Sequence, residues 1–166
     1  IMPVRHEPIF LANVLLHIKD CESIRAFPLI SKNCTEATFI LKKNPLDFSD
    51  SPRDILKFFP NINTMVLWGL SSIEETNTLP DTVTSIVVYG VNFATLTQSA
   101  LRYADRVVQI LGCKSDENYP ANFTLFPRLE RLSVIDVSKN MILPTHKLKR
   151  LTVRDVSSKE DPLSLL

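Results

Sequence analysis

The sequence predicts an α/β solenoid, in which short parallel strands alternate with return segments, preceded by a small all-helical segment. Two observations predict this arrangement. From residue 59 onward one spacing of apolar residues recurs about every 20 positions, whereas residues 1–58 lack that spacing and carry apolar residues at helical intervals. We therefore divide the chain into a helical segment, 1–58, and a region of about five repeats, 59–166, whose last unit we expect to be truncated.

Four segments of the repeat region share one apolar pattern, with apolar residues separated by three, two and three positions. The four sets are Ile62-Met65-Leu67-Leu70, Val83-Ile86-Val88-Val91, Leu129-Leu132-Val134-Val137 and Leu148-Leu151-Val153-Val156. A dipeptide that ends in proline precedes each set, and proline marks a strand start because it cannot donate to a ladder. Since no unit of this length buries its own apolar face, neighbouring units are expected to stack around one core.

A fifth unit fits between residues 91 and 129, in either of two registers. One register turns Val107, Ile110 and Gly112 inward, and the other turns Val108, Leu111 and Cys113 inward. We favour the second, because an inward glycine fills no core volume. A slip of one residue exchanges the two faces of a strand, so this choice directs Ile110, Gly112 and Lys114 outward.

Strand alternation also predicts which side chains point away from the core. If Met65 and Leu67 face inward, their neighbours in the strand face outward. The same rule in the other units gives seven candidate partner-binding residues on one face: Val66, Trp68, Val87, Tyr89, Arg131, Arg150 and Arg154. Tryptophan, tyrosine and arginine are over-represented in binding hot spots, so this face is predicted to bind a protein. In the alternative, Trp68 and Tyr89 pack against the N-terminal helices or a neighbouring loop.

The first 58 residues contain four helix-start signals. Pro8 suits the first turn of a helix, and Asp20 and Ser31 are N-cap residues. Ser51 is a further cap, with a proline at the first helical position after it. We expect the second helix to end before Pro28, because a proline inside a helix removes a backbone hydrogen bond.

The apolar template of the repeats resembles the leucine-rich repeat over residues 59–166. The commonest version of that repeat has asparagine where this chain has Leu70, Val91, Val137 and Val156. The irregular periods and the proline punctuation look more like divergent, BspA-like repeats, or the leucine-rich-repeat proteins of parasitic amoebae. The resemblance implies a curved solenoid that presents a concave strand face to a protein partner, without catalysis.

The N-terminal sequence resembles an F-box, a small helical module that binds Skp1 and recruits targets to a ubiquitin ligase. The match lies in the run from Glu7 to Asp20 and in the segment Ile30-Ser31-Lys32, with Cys34 where a tryptophan or cysteine often falls. The resemblance implies that a Skp1-like adaptor contacts four residues of the first helix: Pro8, Leu11, Leu15 and Ile18. In the alternative, these helices only cap the open end of the solenoid.

The composition argues against several kinds of chemistry. Three scattered glycines exclude the common phosphate-binding loops, which need several glycines within a few residues. Three cysteines without a C-x-x-C pair and three dispersed histidines predict neither a metal site nor a cofactor. No acid–base or nucleophile constellation is apparent, so we expect no enzymatic activity.

The near-neutral charge and the polar residues of the chain indicate which kinds of partner and which location to expect. A formal net charge of +1 disfavours nucleic acid as a partner. The stretch 82–101 has no charged residue, but its hydroxyl and amide side chains disfavour a membrane span. We expect a cytoplasmic interaction protein, with the nucleus as a second location. The runner-up interpretation is a targeting or regulatory segment of a larger phosphatase or kinase.

Overall fold

The computed structural model describes residues 7–48, 51–70, 79–96, 101–114, 119–135 and 141–154. These residues form four α-helices followed by a five-stranded sheet. The helices are α1 (Pro8–Leu15), α2 (Cys21–Ile30), α3 (Lys32–Ile40) and α4 (Pro52–Phe58). The strands are β1 (Thr64–Trp68), β2 (Ser85–Tyr89), β3 (Val107–Lys114), β4 (Arg131–Ile135) and β5 (Arg150–Arg154). The repeat positions Val137 and Val156 lie outside the described residues.

The four predicted helix starts are confirmed. Pro8 opens α1, where the missing N–H of proline has no intrahelical partner to lose. The Asp20 carboxylate accepts a hydrogen bond from the backbone N–H three residues later at 2.6 Å. The hydroxyls of Ser31 and Ser51 accept the equivalent bonds at 3.2 and 3.3 Å. These caps satisfy N–H groups that each helix start leaves without an intrahelical acceptor.

The expected end of α2 at Pro28 was wrong, because α2 continues to Ile30. Pro28 lies in the last turn, so it removes one intrahelical hydrogen bond without interrupting a long helix. Its carbonyl accepts a hydrogen bond from the Thr35 hydroxyl at 2.7 Å. That bond joins the end of α2 to α3, which packs against both α1 and α2.

The five strands lie side by side in the order in which they occur in the chain, and each neighbouring pair is parallel. In the first pair, Met65 lies beside Ile86 and Trp68 beside Tyr89. Parallel neighbours of this kind require each return segment to carry the chain back to the start of the next strand. The predicted α/β solenoid of short parallel strands is confirmed at this level of detail.

β3 follows neither predicted register over its whole length. Its fully buried side chains are Val107, Ile110 and Cys113, whereas Val108 and Leu111 are only partly buried. The favoured register was therefore wrong for the first two core positions and right for the third. Each buried residue of β3 therefore lies three positions after the previous one. In the other repeats the corresponding intervals are three positions and then two.

Two irregularities of pairing produce this spacing. The register with β2 slips after Ile86, and the register with β4 slips between Ile110 and Cys113. Gly112 has a φ of +67°, a left-handed conformation that glycine adopts readily in a β-bulge. The bulges also shift the alignment of the repeats across the sheet. One continuous inward row therefore consists of Leu67, Val88, Ile110, Leu132 and Leu151.

A single hydrophobic core joins the helices and the sheet. Its buried residues extend from Ala12 in α1 to Val134 in β4. The largest fully buried side chains are Phe48, Phe59, Phe123 and Phe126. The helical segment thus shares its interior with the first repeats.

The inward positions of the last strand are exposed, although we expected them to be buried. Leu132 and Leu151 are direct neighbours in register, yet Leu132 is 1% exposed and Leu151 is 46% exposed. Val153 is half exposed as well. β4 has a described strand on each side, whereas β5 has one only on the side of β4. The shared core therefore weakens toward β5.

The segment 42–46 occupies the opposite edge of the sheet, beside β1. Lys43 forms a parallel bridge with Thr64. Asn44 is buried, and its side-chain amide donates to the Val66 carbonyl at 2.9 Å and accepts from the Val66 N–H at 2.8 Å. An amide side chain thus takes the place of a neighbouring strand and satisfies backbone groups that an edge strand leaves unpaired.

Two return segments contain the same turn. Asn92 and Asn122 each accept a hydrogen bond from the backbone N–H two residues later, at 2.9 and 3.1 Å, and each opens one turn of 3₁₀ helix. The phenylalanines that follow, Phe93 and Phe123, meet edge to face with 5.1 Å between ring centroids. Phe123 is fully buried and Phe93 packs against the core, so the two return segments also contribute to the shared interior.

Candidate interaction surface

We call the side of the sheet that points away from the core the open face. Alternation along the strands places its side chains in lateral rows, because neighbouring strands are parallel. The residues of the open face are Thr64, Val66, Trp68, Ser85, Val87, Tyr89, Gln109, Leu111, Arg131, Ser133, Ile135, Arg150, Thr152 and Arg154. All seven strand-face candidates from the sequence lie on it.

Trp68 and Tyr89 form an aromatic pair at the β1 end of the open face. Their ring centroids are 5.3 Å apart, with 40° between the ring planes. The Trp68 indole N–H donates to the Leu46 carbonyl at 3.1 Å, so a neighbouring loop does hold this ring, as the alternative interpretation expected. The ring remains 51% exposed. The pair therefore combines a fixed orientation with a large accessible apolar surface.

The two valines of this region differ in their accessibility. Val66 was expected to be exposed, but it is 8% exposed and thus buried. It lies between Val87 on β2 and Asn44 on the other side of β1, and a short side chain between two such neighbours is covered. Val87 is half-buried. Of the two, only Val87 is accessible to a partner.

The three predicted arginines form a basic cluster at the β5 end of the open face. Arg131 lies directly beside Arg150 in register, and Arg154 lies beside Ile135. All three arginines are exposed. No carboxylate of the described residues lies within 4 Å of their guanidinium groups. Among the described residues, the three guanidinium groups therefore form no ion pair with a carboxylate.

One described acid, which directly precedes Arg131 in the sequence, is paired with another residue. Glu130, which precedes β4, accepts from Lys149 Nζ at 2.9 Å. This hydrogen bond, with a further contribution from the charge of Arg131, lowers the pKa of Glu130 below its ordinary value. Glu130 is thus ionised at neutral pH, and its partner is Lys149 rather than the arginine cluster.

Sequence reasoning missed the contribution of β3 to the open face. Ile110 was expected to point outward, but it is fully buried because of the bulges in β3. Gln109 and Leu111 take the outward positions, beside Arg131 and Tyr89 respectively. The side chain of Lys114 lies outside the described residues. Gly112 was the one signal in the sequence that pointed to an irregular strand.

Three of the four residues proposed for adaptor binding lie in α1, whereas Ile18, expected in the same helix, follows its end at Leu15. Leu15 is fully buried in the core, so it cannot contact a partner while the chain is folded. Leu11 and Ile18 are partly buried and pack against the core, and Pro8 is half-buried. Their helical spacing reflects the packing of α1 against the rest of the fold.

The opposite side of α1 is apolar as well. Ile9, Phe10 and Val14 are all exposed. Further exposed apolar side chains occur at the ends of α2 and α3: Leu29, Ile30, Phe39 and Ile40. We call Ile9, Phe10 and Val14 the α1 apolar patch. Sequence analysis missed this patch because apolar residues occur on all sides of α1. Their spacing therefore does not show which side of the helix is buried.

The described residues contain no obvious reactive centre. Among them, no group of three or more histidine, cysteine, aspartate or glutamate side chains could hold a metal ion. Burial raises the pKa of the Cys113 thiol to about 11, so this cysteine stays protonated and is a poor nucleophile at neutral pH. No helix among the described residues has the length and apolar character needed to cross a membrane.

We compared the chain with known protein families, curated proteins and solved structures. No protein-family model, no curated protein and no solved structure matches the chain.

Proposed function

We propose that the chain is a non-catalytic protein-interaction module that binds its partner on the open face of the sheet. One observation carries the proposal: accessible tryptophan and arginine side chains lie on the same face of one sheet, on β1 and on β4 and β5, while the other face of that sheet packs on the core. Side chains on packed strands keep their positions, so binding them requires little ordering of the module. Tryptophan, tyrosine and arginine are also the residue types that dominate binding energy.

The two ends of the open face suit different parts of a partner. The Trp68–Tyr89 pair on β1 and β2 offers apolar contact, and the basic cluster on β4 and β5, two to four strand spacings or about 10–19 Å away, offers charge. Leu111 lies between them on β3. A single partner segment that crosses the strands can reach both ends.

Affinity purification from the native cell tests the proposal with a matched pair of variants. Trp68 and Tyr119 are each 51% exposed, but Tyr119 lies outside the sheet. We expect Trp68→Ser to lose most of a partner that the unmodified chain and Tyr119→Ser both retain, because a central aromatic contact is worth about 2 kcal/mol or more. Equal recovery with both variants contradicts binding through the open face. Circular dichroism confirms that both variants fold.

The α1 apolar patch favours a second binding role, contact with a Skp1-like adaptor as the F-box resemblance implies. Three exposed apolar side chains on one short helix form a surface of the kind that partners cover. The adaptor contact then involves Ile9, Phe10 and Val14 together with the accessible parts of Pro8 and Leu11. Such a module recruits the partner of the open face to a ubiquitin ligase.

Purified Skp1 tests this second role with Ile9→Asp, matched by Ile142→Asp at another exposed isoleucine. The adaptor role requires binding that Ile9→Asp abolishes and Ile142→Asp preserves. Absence of binding to the unmodified chain removes the adaptor role and leaves the open-face proposal intact, since the two surfaces share no residue.

A further inference from the structure

The basic cluster is arranged in a way that electrostatics alone disfavours. Arg131 and Arg150 are direct neighbours on parallel strands, which places their backbones about 4.8 Å apart. Like charges directly opposite each other destabilise a sheet. Arg154 adds a third charge on the same side of β5, because it lies four positions after Arg150 and strand side chains alternate every two. No carboxylate of the described part of the chain within 4 Å offsets these charges.

A small cavity lies among the arginines. Its volume is about 180 Å³, and its lining includes all three guanidinium-bearing residues with Ser133 and Thr152 between them. Ser133 and Thr152 are neighbours in register, so their hydroxyls lie at the middle of the cluster. Ligand pockets for drug-sized molecules are about 300–1,000 Å³, so this cavity suits a single side chain rather than a small-molecule ligand.

The donors around the cavity match one ligand chemistry. Arginine guanidinium groups hydrogen-bond carboxylates in a bidentate geometry, and hydroxyl groups can donate to the same oxygens. Gln109, beside Arg131 in register, adds an amide at the rim. The cavity therefore presents several donors to an acceptor that carries negative charge.

Resting on the proposed function, we infer that the basic cluster binds an acidic segment of the protein partner, with an aspartate or glutamate side chain in the cavity. The segment crosses the strands and carries apolar residues toward Leu111 and the Trp68–Tyr89 pair. Charge complementarity selects this occupant: binding brings carboxylates to three arginines that the described residues leave without an acidic partner.

The same observations favour a peptide over nucleic acid. The arginines occupy only two neighbouring strands, and Arg150 and Arg154 are about 13 Å apart along β5, too short a track for a phosphate backbone. The rings of Trp68 and Tyr89 contact each other with 5.3 Å between centroids, so no base fits between them as between successive stacking platforms. The formal net charge of +1 also disfavours nucleic acid, because a phosphate backbone attracts proteins with a large excess of basic residues.

Fluorescence anisotropy with a labelled poly-glutamate peptide tests the inference on the full chain at low salt. The test variant is Arg131→Gln with Arg150→Gln, and the control is Arg53→Gln with Lys57→Gln, which removes the same charge from exposed positions on α4. We expect the test variant to bind about tenfold or more weakly than the unmodified chain, and the control to bind within about twofold, because only the cluster residues donate to the carboxylates.

Three outcomes overturn the inference. The first is absence of poly-glutamate binding, and the second is equal weakening by the test and control variants, which indicates a net-charge effect. The third is tighter binding of an oligothymidylate or of a phosphoserine peptide through the same arginines, which assigns the cluster to phosphate. Failure of the inference is distinct from failure of the proposed function: a native partner that Trp68→Ser loses but the double arginine variant retains leaves the open face as an interaction surface.

Discussion

Replacing Leu132 by alanine is expected to destabilise the fold by about 2–5 kcal/mol, whereas replacing Leu151 by alanine is expected to cost less than about 1 kcal/mol. The two leucines occupy equivalent repeat positions and lie side by side in register. They differ in burial, since Leu132 is enclosed by the core and Leu151 is half exposed. A large-to-small change at an enclosed site loses transfer free energy and also leaves a cavity.

Urea denaturation followed by circular dichroism measures both effects. The two variants make the same leucine-to-alanine change in a strand, so the intrinsic strand propensities cancel. The difference between their free energies of unfolding therefore reports the difference in burial. Equal losses of stability in the two variants contradict the described arrangement, because they place both leucines in the same environment.

Replacing Asn44 by alanine is expected to cost about 2–4 kcal/mol. The substitution leaves the N–H and the carbonyl of Val66 without their partner at a buried position, and each unsatisfied buried group costs about 1–3 kcal/mol. Asn61 provides the control, since its amide donates to the Phe39 carbonyl at 3.0 Å in an exposed setting where water replaces the bond. We expect Asn61→Ala to cost no more than about 1 kcal/mol.

Hydrogen exchange separates the role of Asn44 from a general loss of stability. If Asn44 closes the edge of the sheet, the Val66 amide loses protection in Asn44→Ala by more than the amides of β4 do. Uniform loss of protection, or a stability change no larger than that of Asn61→Ala, contradicts this role.

The sequence predicted the strands because their pattern is local. Inward residues two positions apart, as at Met65 and Leu67, follow from the geometry of a strand alone. Helix starts were predictable for the same reason, since Asp20 and Ser31 cap residues only three positions away. Local signals of this kind do not depend on what the rest of the chain does.

Features that depend on distant contacts escaped prediction. Asn44 lies between two helices in sequence, and only the fold brings it to Val66, 22 residues later. The register of β3 depends on its pairing with both neighbours as well as on its own pattern, and Gly112 allows the bulge. The exposure of Leu151 cannot be read from its own repeat, whose apolar spacing equals that of the buried Leu132 repeat.

The candidate surface was predictable to the extent that it follows from alternation. The outward positions of Trp68, Tyr89 and the three arginines follow once the inward side of each strand is known. The burial of Val66 and the exposure of the α1 apolar patch required knowledge of what packs against each element.

Methyl contacts measured by nuclear Overhauser effects test the central claim most directly, namely that the strands stack in parallel around one interior. In a sample labelled at leucine, valine and isoleucine methyls, we expect contacts in the row order Leu67, Val88, Ile110, Leu132 and Leu151, since adjacent strands are about 4.8 Å apart. Strong contacts between second neighbours are not expected at about 9.6 Å. Contacts confined to residues three or four positions apart within each segment, as in helices, contradict the parallel sheet and the open face that depends on it.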